Sequence, residues 1–117
     1  MQQAPQITFR NMEPSDTAQA QIVKRIDDLD QMFDRITSCT VVVEVGHRHQ
    51  HQGRLFHVHI NLVVPGKTIV VGRNPGEHHA HEDLHVVIRD AFDAARRQLQ
   101  DHIRHLRDGQ TLTASQL

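Results

Sequence analysis

Apolar residues lie on only one side of each segment that is predicted to form a β-strand in this chain. Four segments alternate apolar with polar residues, which is the period of a half-buried strand: residues 6–12, 38–46, 54–64 and 68–73. A sheet of such strands has one apolar face, so every helix of the chain has to pack on that same face. The pattern therefore predicts a two-layer fold with helices on one side of a sheet.

Two further segments repeat apolar residues at helical spacing and are predicted to be amphipathic helices. The first covers residues 16–34, with Ser15 as its N-cap, because the hydroxyl can accept a backbone N–H of the first turn. The second covers residues 82–107. The order β-α-β-β-β-α predicts an α+β fold with a four-stranded mixed sheet. A right-handed crossover makes strand one parallel to strand two, and hairpins, one at Pro65-Gly66, make the other neighbours antiparallel.

The length of 117 residues suits one domain with a single core. We predict that this domain spans residues 1–108 and that residues 109–117 form a disordered C-terminal tail, since they offer little to bury. The chain has four Phe and neither Trp nor Tyr, which does not suggest an aromatic-lined pocket. All four rings sit in apolar patterns and are predicted to be core residues: Phe9, Phe33, Phe56 and Phe92.

Several classes of function are disfavoured by the same sequence. The lone Cys39 excludes an internal disulfide and a thiolate metal cluster, and it is expected to point into the core. His57 and His59 should face outward on the sheet, but no Ser or Cys nucleophile is paired with them, so we predict no enzyme activity, cofactor or small-molecule substrate. Neither a signal peptide nor an apolar run of ~20 residues is seen. We expect a cytoplasmic protein without a membrane partner.

Positive charge is locally concentrated, although the net charge is −1. An ideal helix advances about 100° per residue, which places five arginines of the second helix in one sector of roughly 80–180° from Ile88: Arg89, Arg96, Arg97, Arg104 and Arg107. Four more cations, with Glu44 as the one anion, fall between residues 44 and 73: Arg48, Arg54, Lys67 and Arg73. Clustered guanidinium groups repel unless an anion joins them, and their planar fork suits phosphate. The pattern favours a polyanion-binding surface.

Four motifs between Gln6 and Arg107, together with the order of elements, resemble the ribosome hibernation-promoting family, which includes ribosome-associated inhibitor A and the sigma modulation proteins: ITFRNMEPSD, FDRITSCTVVVE, FHVHINLVVPG and EHHAHEDLHVVIRDAFDAARRQL. The resemblance implies a fold like that of double-stranded-RNA-binding domains. It also implies binding to small-subunit rRNA in the channel used by mRNA and tRNA, so that ribosomes idle under stress or in stationary phase. Long relatives append a dimerisation domain, so we expect that this chain does not pair ribosomes unaided.

The resemblance can be carried over to individual positions of the second helix. Five positions match the usual family pattern: Ile88, Asp93, Arg97, Gln98 and Leu99. Three depart from it, since Arg89 stands where aspartate is usual, Ala94 replaces a lysine and Arg96 replaces a glutamate. The first helix of the family also carries basic contact residues, which correspond here to Lys24 and Arg25 among several aspartates.

Together these observations predict a set of rRNA-binding residues that mainly contact phosphates: Arg89, Arg96, Arg97, Arg104, Arg54, Arg73, Lys24, Arg25, Arg48, His78, His79 and His81. The partner is the small ribosomal subunit. We expect a monomer or a weak homodimer, because the open sheet face carrying Val42 could self-associate.

Histidine clusters leave two alternatives open. His47, His49 and His51 alternate. His78, His79, His81 and His85 crowd the start of the second helix, and the i,i+4 spacing of His81 and His85 can present two imidazoles to one ion. The alternative function is therefore a metal-binding or metal-sensing module, although neither a Cys pair nor an HExxH arrangement accompanies these residues. A second hypothesis is that histidine protonation at lowered pH strengthens rRNA binding.

Overall fold

The computed structural model describes residues 1–46, 55–72 and 83–116, with side chains described up to residue 108. The elements in chain order are β1 (Gln6–Arg10), α1 (Asp16–Met32), β2 (Ser38–Gly46), β3 (Leu55–Val64), β4 (Lys67–Val71) and α2 (Leu84–Gln116). β1 pairs with β2 in parallel, and the other two pairs are antiparallel, so the sheet has the order β1-β2-β3-β4. The predicted α+β fold and its mixed sheet are confirmed.

The strand register brings the apolar sides of the strands together. Val41 of β2 is paired with Ile7 of β1 and with Ile60 of β3. Val41 and Ile60 are fully buried, and Ile7 packs against the edge of the same core. Buried residues of both helices, such as Ile22 and Ile88, belong to this one cluster. Both helices therefore cover a single face of the sheet, as the one-sided strand pattern predicts.

The ends of the elements follow from local backbone chemistry. Ser15 is the N-cap of α1, as predicted, with its Oγ accepting from the Ala18 N–H at 3.2 Å. β1 ends two residues before its predicted end because Asn11 adopts a φ of 58°, which an extended strand does not allow. β4 likewise ends at Val71, since Gly72 has a φ of 79°. α1 ends at Met32 rather than at residue 34, because Phe33 is extended.

The helix α2 ends later than the apolar pattern predicts. Apolar periodicity ends at Leu106 and the predicted helix at residue 107, whereas the structure continues the helix to Gln116. An established helix adds further residues at small cost, so backbone hydrogen bonding can extend it past the last residue of the apolar pattern. The domain boundary at residue 108 stays a prediction. Despite its 33 residues, α2 lacks the apolar stretch that a membrane span needs, and the same holds for α1 in the described part of the chain.

The four Phe rings divide into two groups. Phe92 is buried within the core. The other three are half-buried and pack against its edge: Phe9, Phe33 and Phe56. All four thus contribute to the core as predicted, but three of them keep part of the ring accessible to solvent.

The turn between β3 and β4 is tied to the second helix. Gly66 has a φ of 81°, which fits the third position of a type II turn after Pro65. The imidazole Nε2 of His102 lies 2.8 Å from the carbonyl oxygen of Pro65. This contact fastens the C-terminal half of α2 to the edge of the sheet, and sequence patterning alone did not indicate it.

Replacement of the two left-handed glycines is expected to have unequal effects on stability. Gly66→Ala should lower the free energy of unfolding by about 1 kcal/mol, the cost of a left-handed alanine, because the new Cβ would meet only His102 Cε1 at 4.0 Å. Gly72→Ala should cost about 3 kcal/mol, since its Cβ would also overlap the Val58 carbonyl oxygen. Urea denaturation of both variants measures the difference, and equal losses would contradict this account of Gly72.

Cys39 is expected to be unreactive in the folded protein. It is 1% exposed, and burial raises the pKa of its thiol from 9.0 to about 12, so the nucleophilic thiolate is scarce. Alkylation by iodoacetamide at pH 8 should become fast only in denaturant. Because the pKa of the Cys39 thiol is higher in the folded than in the unfolded protein, the free energy of unfolding is undiminished below pH 9. It falls as the pH rises from 9 towards 12. Rapid stoichiometric labelling without denaturant would refute this assignment.

Candidate nucleic-acid interface

The two helices are held side by side by polar contacts between them. Gln21 of α1 donates from Nε2 to the carbonyl oxygen of His85 at 3.0 Å, and its Oε1 lies 2.5 Å from His85 Nδ1. Further along, Arg25 Nη1 lies 3.7 Å from Asp93 Oδ1. These contacts bridge α1 and α2, whose spacing is set by the core they share, so the outer surface of the helical layer presents side chains of both helices in a defined arrangement.

We call the five arginines of α2 the arginine flank: Arg89, Arg96, Arg97, Arg104 and Arg107. All five are exposed to solvent. The opposite side of the same helix carries Ile88, Ala95 and Leu99, each completely buried. Helical periodicity thus separates apolar from cationic side chains along α2 as the sequence predicts. The arginine flank therefore lies on the outer side of the helical layer, away from the sheet.

Carboxylates contact only part of this flank. Arg89 Nη2 lies 3.1 Å from Asp90 Oδ1, and Arg104 Nη1 lies 3.9 Å from Asp101 Oδ1. Both pairs are well exposed, so they contribute little stability and a phosphate can replace the carboxylate. Arg96 and Arg97 make no ion pair within the described ranges. Within those ranges, an anion can therefore bind the guanidinium groups of Arg96 and Arg97 without displacing a carboxylate.

The predicted basic residues of α1 are both paired. Lys24 Nζ lies 3.7 Å from Asp28 Oδ1 on the same helix, and both side chains are exposed. Arg25 contacts Asp93 across the two helices, and its side chain is 34% exposed. The ion pair of Arg25 connects the two helices, whereas the ion pair of Lys24 lies within α1. We therefore expect α1 to contribute less positive potential than α2.

A cleft of about 600 Å³ lies between the end of α1 and the C-terminal half of α2. Its apolar lining comes from both sides: Met32, Phe33, Ile103 and Leu106. Three arginines line it as well: Arg35, Arg104 and Arg107. Sequence analysis did not identify Arg35, because it follows α1 in a short connection and has no periodic relation to the arginines of α2. Only the packing of the two helices brings these groups together.

The uncovered face of the sheet carries polar side chains at its centre. His57 and His59 face this side, as predicted, and His59 Nε2 lies 2.8 Å from Glu44 Oε1. The His57 ring lies over Gly46, where a Cβ would come within 2.8 Å of its Nε2. Cys39 lies on the opposite side of the sheet, buried and protonated, so its thiol cannot act with these imidazoles as a nucleophile.

Half of the predicted rRNA-binding residues lie outside the described residues: Arg48, Arg54, Arg73, His78, His79 and His81. The alternating histidines of the β2–β3 connection lie there too. Of the second histidine cluster, only His85 is described. Within residues 1–46, 55–72 and 83–108, no three metal-ligating side chains converge. Metal binding therefore stays a prediction.

Comparison with solved structures identifies proteins of the same fold. A ribosomal subunit interface protein from Coxiella burnetii aligns with a TM-score of 0.69 and 15% identity, covering 86% of this chain and 97% of the other. The N-terminal domain of Protein Y from Thermus thermophilus aligns with a TM-score of 0.65 and 21% identity, covering 83% and 94%. At such identities the likeness establishes the fold. A search of curated proteins found no match.

The sequence itself identifies the family. Residues 6–107 match the family model described as sigma 54 modulation protein / S30EA ribosomal protein. The matched range begins with β1 and includes α1, the whole sheet, α2 as far as Arg107 and every arginine of the flank. This chain belongs to the sigma 54 modulation protein and S30EA ribosomal protein family.

Proposed function

We propose that this protein binds the small ribosomal subunit in the channel used by mRNA and tRNA, and that it thereby idles ribosomes in the cytoplasm under stress. The observation that carries the proposal is the arginine flank, in which Arg96 and Arg97 are exposed and without an ion pair in the described part of the chain. Membership of a family described as ribosomal supports the same partner. A similar fold in a ribosomal subunit interface protein is consistent with it.

The arrangement suits folded RNA better than a defined base sequence. Arginine donates from a planar fork that matches phosphate oxygens, and these contacts set position without reading bases. The arginine flank extends along α2 from Arg89 to Arg107. Folded RNA presents backbone phosphates in a regular arrangement that such a row of arginines can contact. Recognition would therefore depend on the shape of rRNA. A single copy of the chain presents the whole flank, so binding as a monomer is sufficient.

The proposed inhibition is steric and needs no chemical step. A domain placed in the decoding channel excludes mRNA and tRNA by its volume alone. Its core supplies rigidity, because the buried faces of both helices pack on one sheet. The polar contacts Gln21–His85 and Arg25–Asp93 maintain the outer surface that meets the RNA.

Association with ribosomes is expected to weaken steeply with salt. Each phosphate contact releases condensed counterions, so about four contacts should weaken binding about 100-fold between roughly 50 and 200 mM KCl. Co-sedimentation of the purified protein with small subunits at constant Mg²⁺ measures this slope. If the bound fraction is unchanged across that range, contacts between arginine and phosphate do not provide the affinity.

Charge reversal at the two unpaired arginines should abolish association. Arg96→Glu combined with Arg97→Glu removes two charge-assisted hydrogen-bonding groups, a loss of about 100-fold in affinity. Both side chains are exposed, so the melting temperature should change little. Arg10→Glu is the control, because this arginine is exposed on the uncovered face of the sheet. A double variant that still co-sediments like the native protein would exclude the arginine flank as the binding surface.

A further inference from the structure

We propose that the cleft between the end of α1 and the C-terminal half of α2 binds a nucleotide. The base would lie on the apolar lining, and the phosphate would lie against Arg35 and Arg104. This inference does not depend on ribosome binding, because a nucleotide presents the same chemistry whether it is free or is an unpaired residue of an RNA strand.

The size of the cleft fits such a ligand. Pockets for small molecules and cofactors have volumes of about 300–1,000 Å³, and this cleft has about 600 Å³. One wall is formed by Met32 and Phe33 at the end of α1, and the opposite wall by Ile103 and Leu106 of α2. The site is thus made by two elements whose spacing is set by the core that they share.

The apolar lining is surface that the fold itself leaves uncovered. Met32, Phe33 and Ile103 pack against the core on one side and line the cleft on the other. Phe33 is held in place because its backbone N–H donates to the Leu29 carbonyl at 3.0 Å, which closes α1. An accessible aromatic ring is a platform for base stacking, and this interaction tolerates any base. The flexible thioether of Met32 can adapt to the outline of the base.

Among the described residues, the charged side chains that line the cleft are all arginines. Its described lining includes three arginines and no carboxylate. Arg35 is exposed and makes no ion pair among the described residues. Arg104 is 74% exposed, and its carboxylate contact, to Asp101, is as long as 3.9 Å. An apolar wall beside cationic groups matches a ligand with a flat apolar part and a phosphate.

Other ligands would use only part of this site. Inorganic phosphate would contact the arginines and leave the apolar walls exposed to water. An uncharged aromatic molecule would cover the walls and leave the guanidinium groups unused. A nucleotide is the ligand whose two parts correspond to the two kinds of lining.

NMR titration of the full chain tests the proposal. Adenosine monophosphate should shift the resonances of Phe33, Ile103 and Leu106 in a saturable manner, and adenosine or inorganic phosphate should each bind at least fivefold more weakly. Arg35→Glu should weaken binding at least tenfold, and Phe33→Leu, which keeps an apolar side chain but removes the ring, about fivefold. Arg10→Glu, on the uncovered sheet face, should bind like the native protein.

A single-stranded hexaribonucleotide and a duplex of the same sequence identify the source of the nucleotide. Saturable shifts with the monophosphate support a free nucleotide, and shifts only with the single strand support an unpaired RNA residue. The proposal is overturned if neither adenosine monophosphate nor the single strand shifts the cleft resonances. It is also overturned if inorganic phosphate binds the cleft as tightly as adenosine monophosphate. It is also overturned if Arg35→Glu has no effect. No ribosome is present in this titration, so a negative result here counts against the nucleotide site alone. The proposed ribosome binding is tested separately, by co-sedimentation of the Arg96 and Arg97 double variant.

Discussion

Burial of only one face of the sheet is the constraint on which the rest of this structure depends. Val41 and Ile60 are completely buried, while their neighbours Val42 and His59 point to the uncovered side. Both helices must therefore share the apolar face, and they meet along their sides. As a consequence, the outer surface of the two helices brings together side chains that are far apart in the chain, such as Arg25 and Asp93.

The electrostatic character of the protein depends on local pairing rather than on net charge. The chain has 13 Lys and Arg against 14 Asp and Glu, which conceals the arginine flank. Within that flank, Arg89 and Arg104 each contact a carboxylate, whereas the adjacent Arg96 and Arg97 make no ion pair among the described residues. Exposed ion pairs are weak. The flank thus remains able to bind a polyanion although the whole protein is nearly neutral.

Much of the fold was predictable because its signals are periodic and local. Alternation identified β2 at residues 38–46, and the Ser15 hydroxyl identified the start of α1. Boundaries that depend on single backbone conformations were missed, since the φ values of Asn11 and Gly72 leave no periodic trace. For the site, exposure of the arginines on α2 followed from helical geometry. Arg35 was missed because its position beside α2 depends on how two helices pack.

The sequence by itself determined which face of each element is apolar, and hence the layer order, the pairing of the strands and the side of α2 on which its arginines are exposed. The apolar faces, the layer order and the side of the arginines follow from side-chain period, which is fixed along the chain, and the strand pairing follows from the crossover and hairpin connections. Only the tertiary structure decided which arginines acquire carboxylate partners and that Phe33 and Arg35 face Ile103 and Arg104 across one cleft. Such contacts depend on the distance between elements, and distance is set by packing of the shared core.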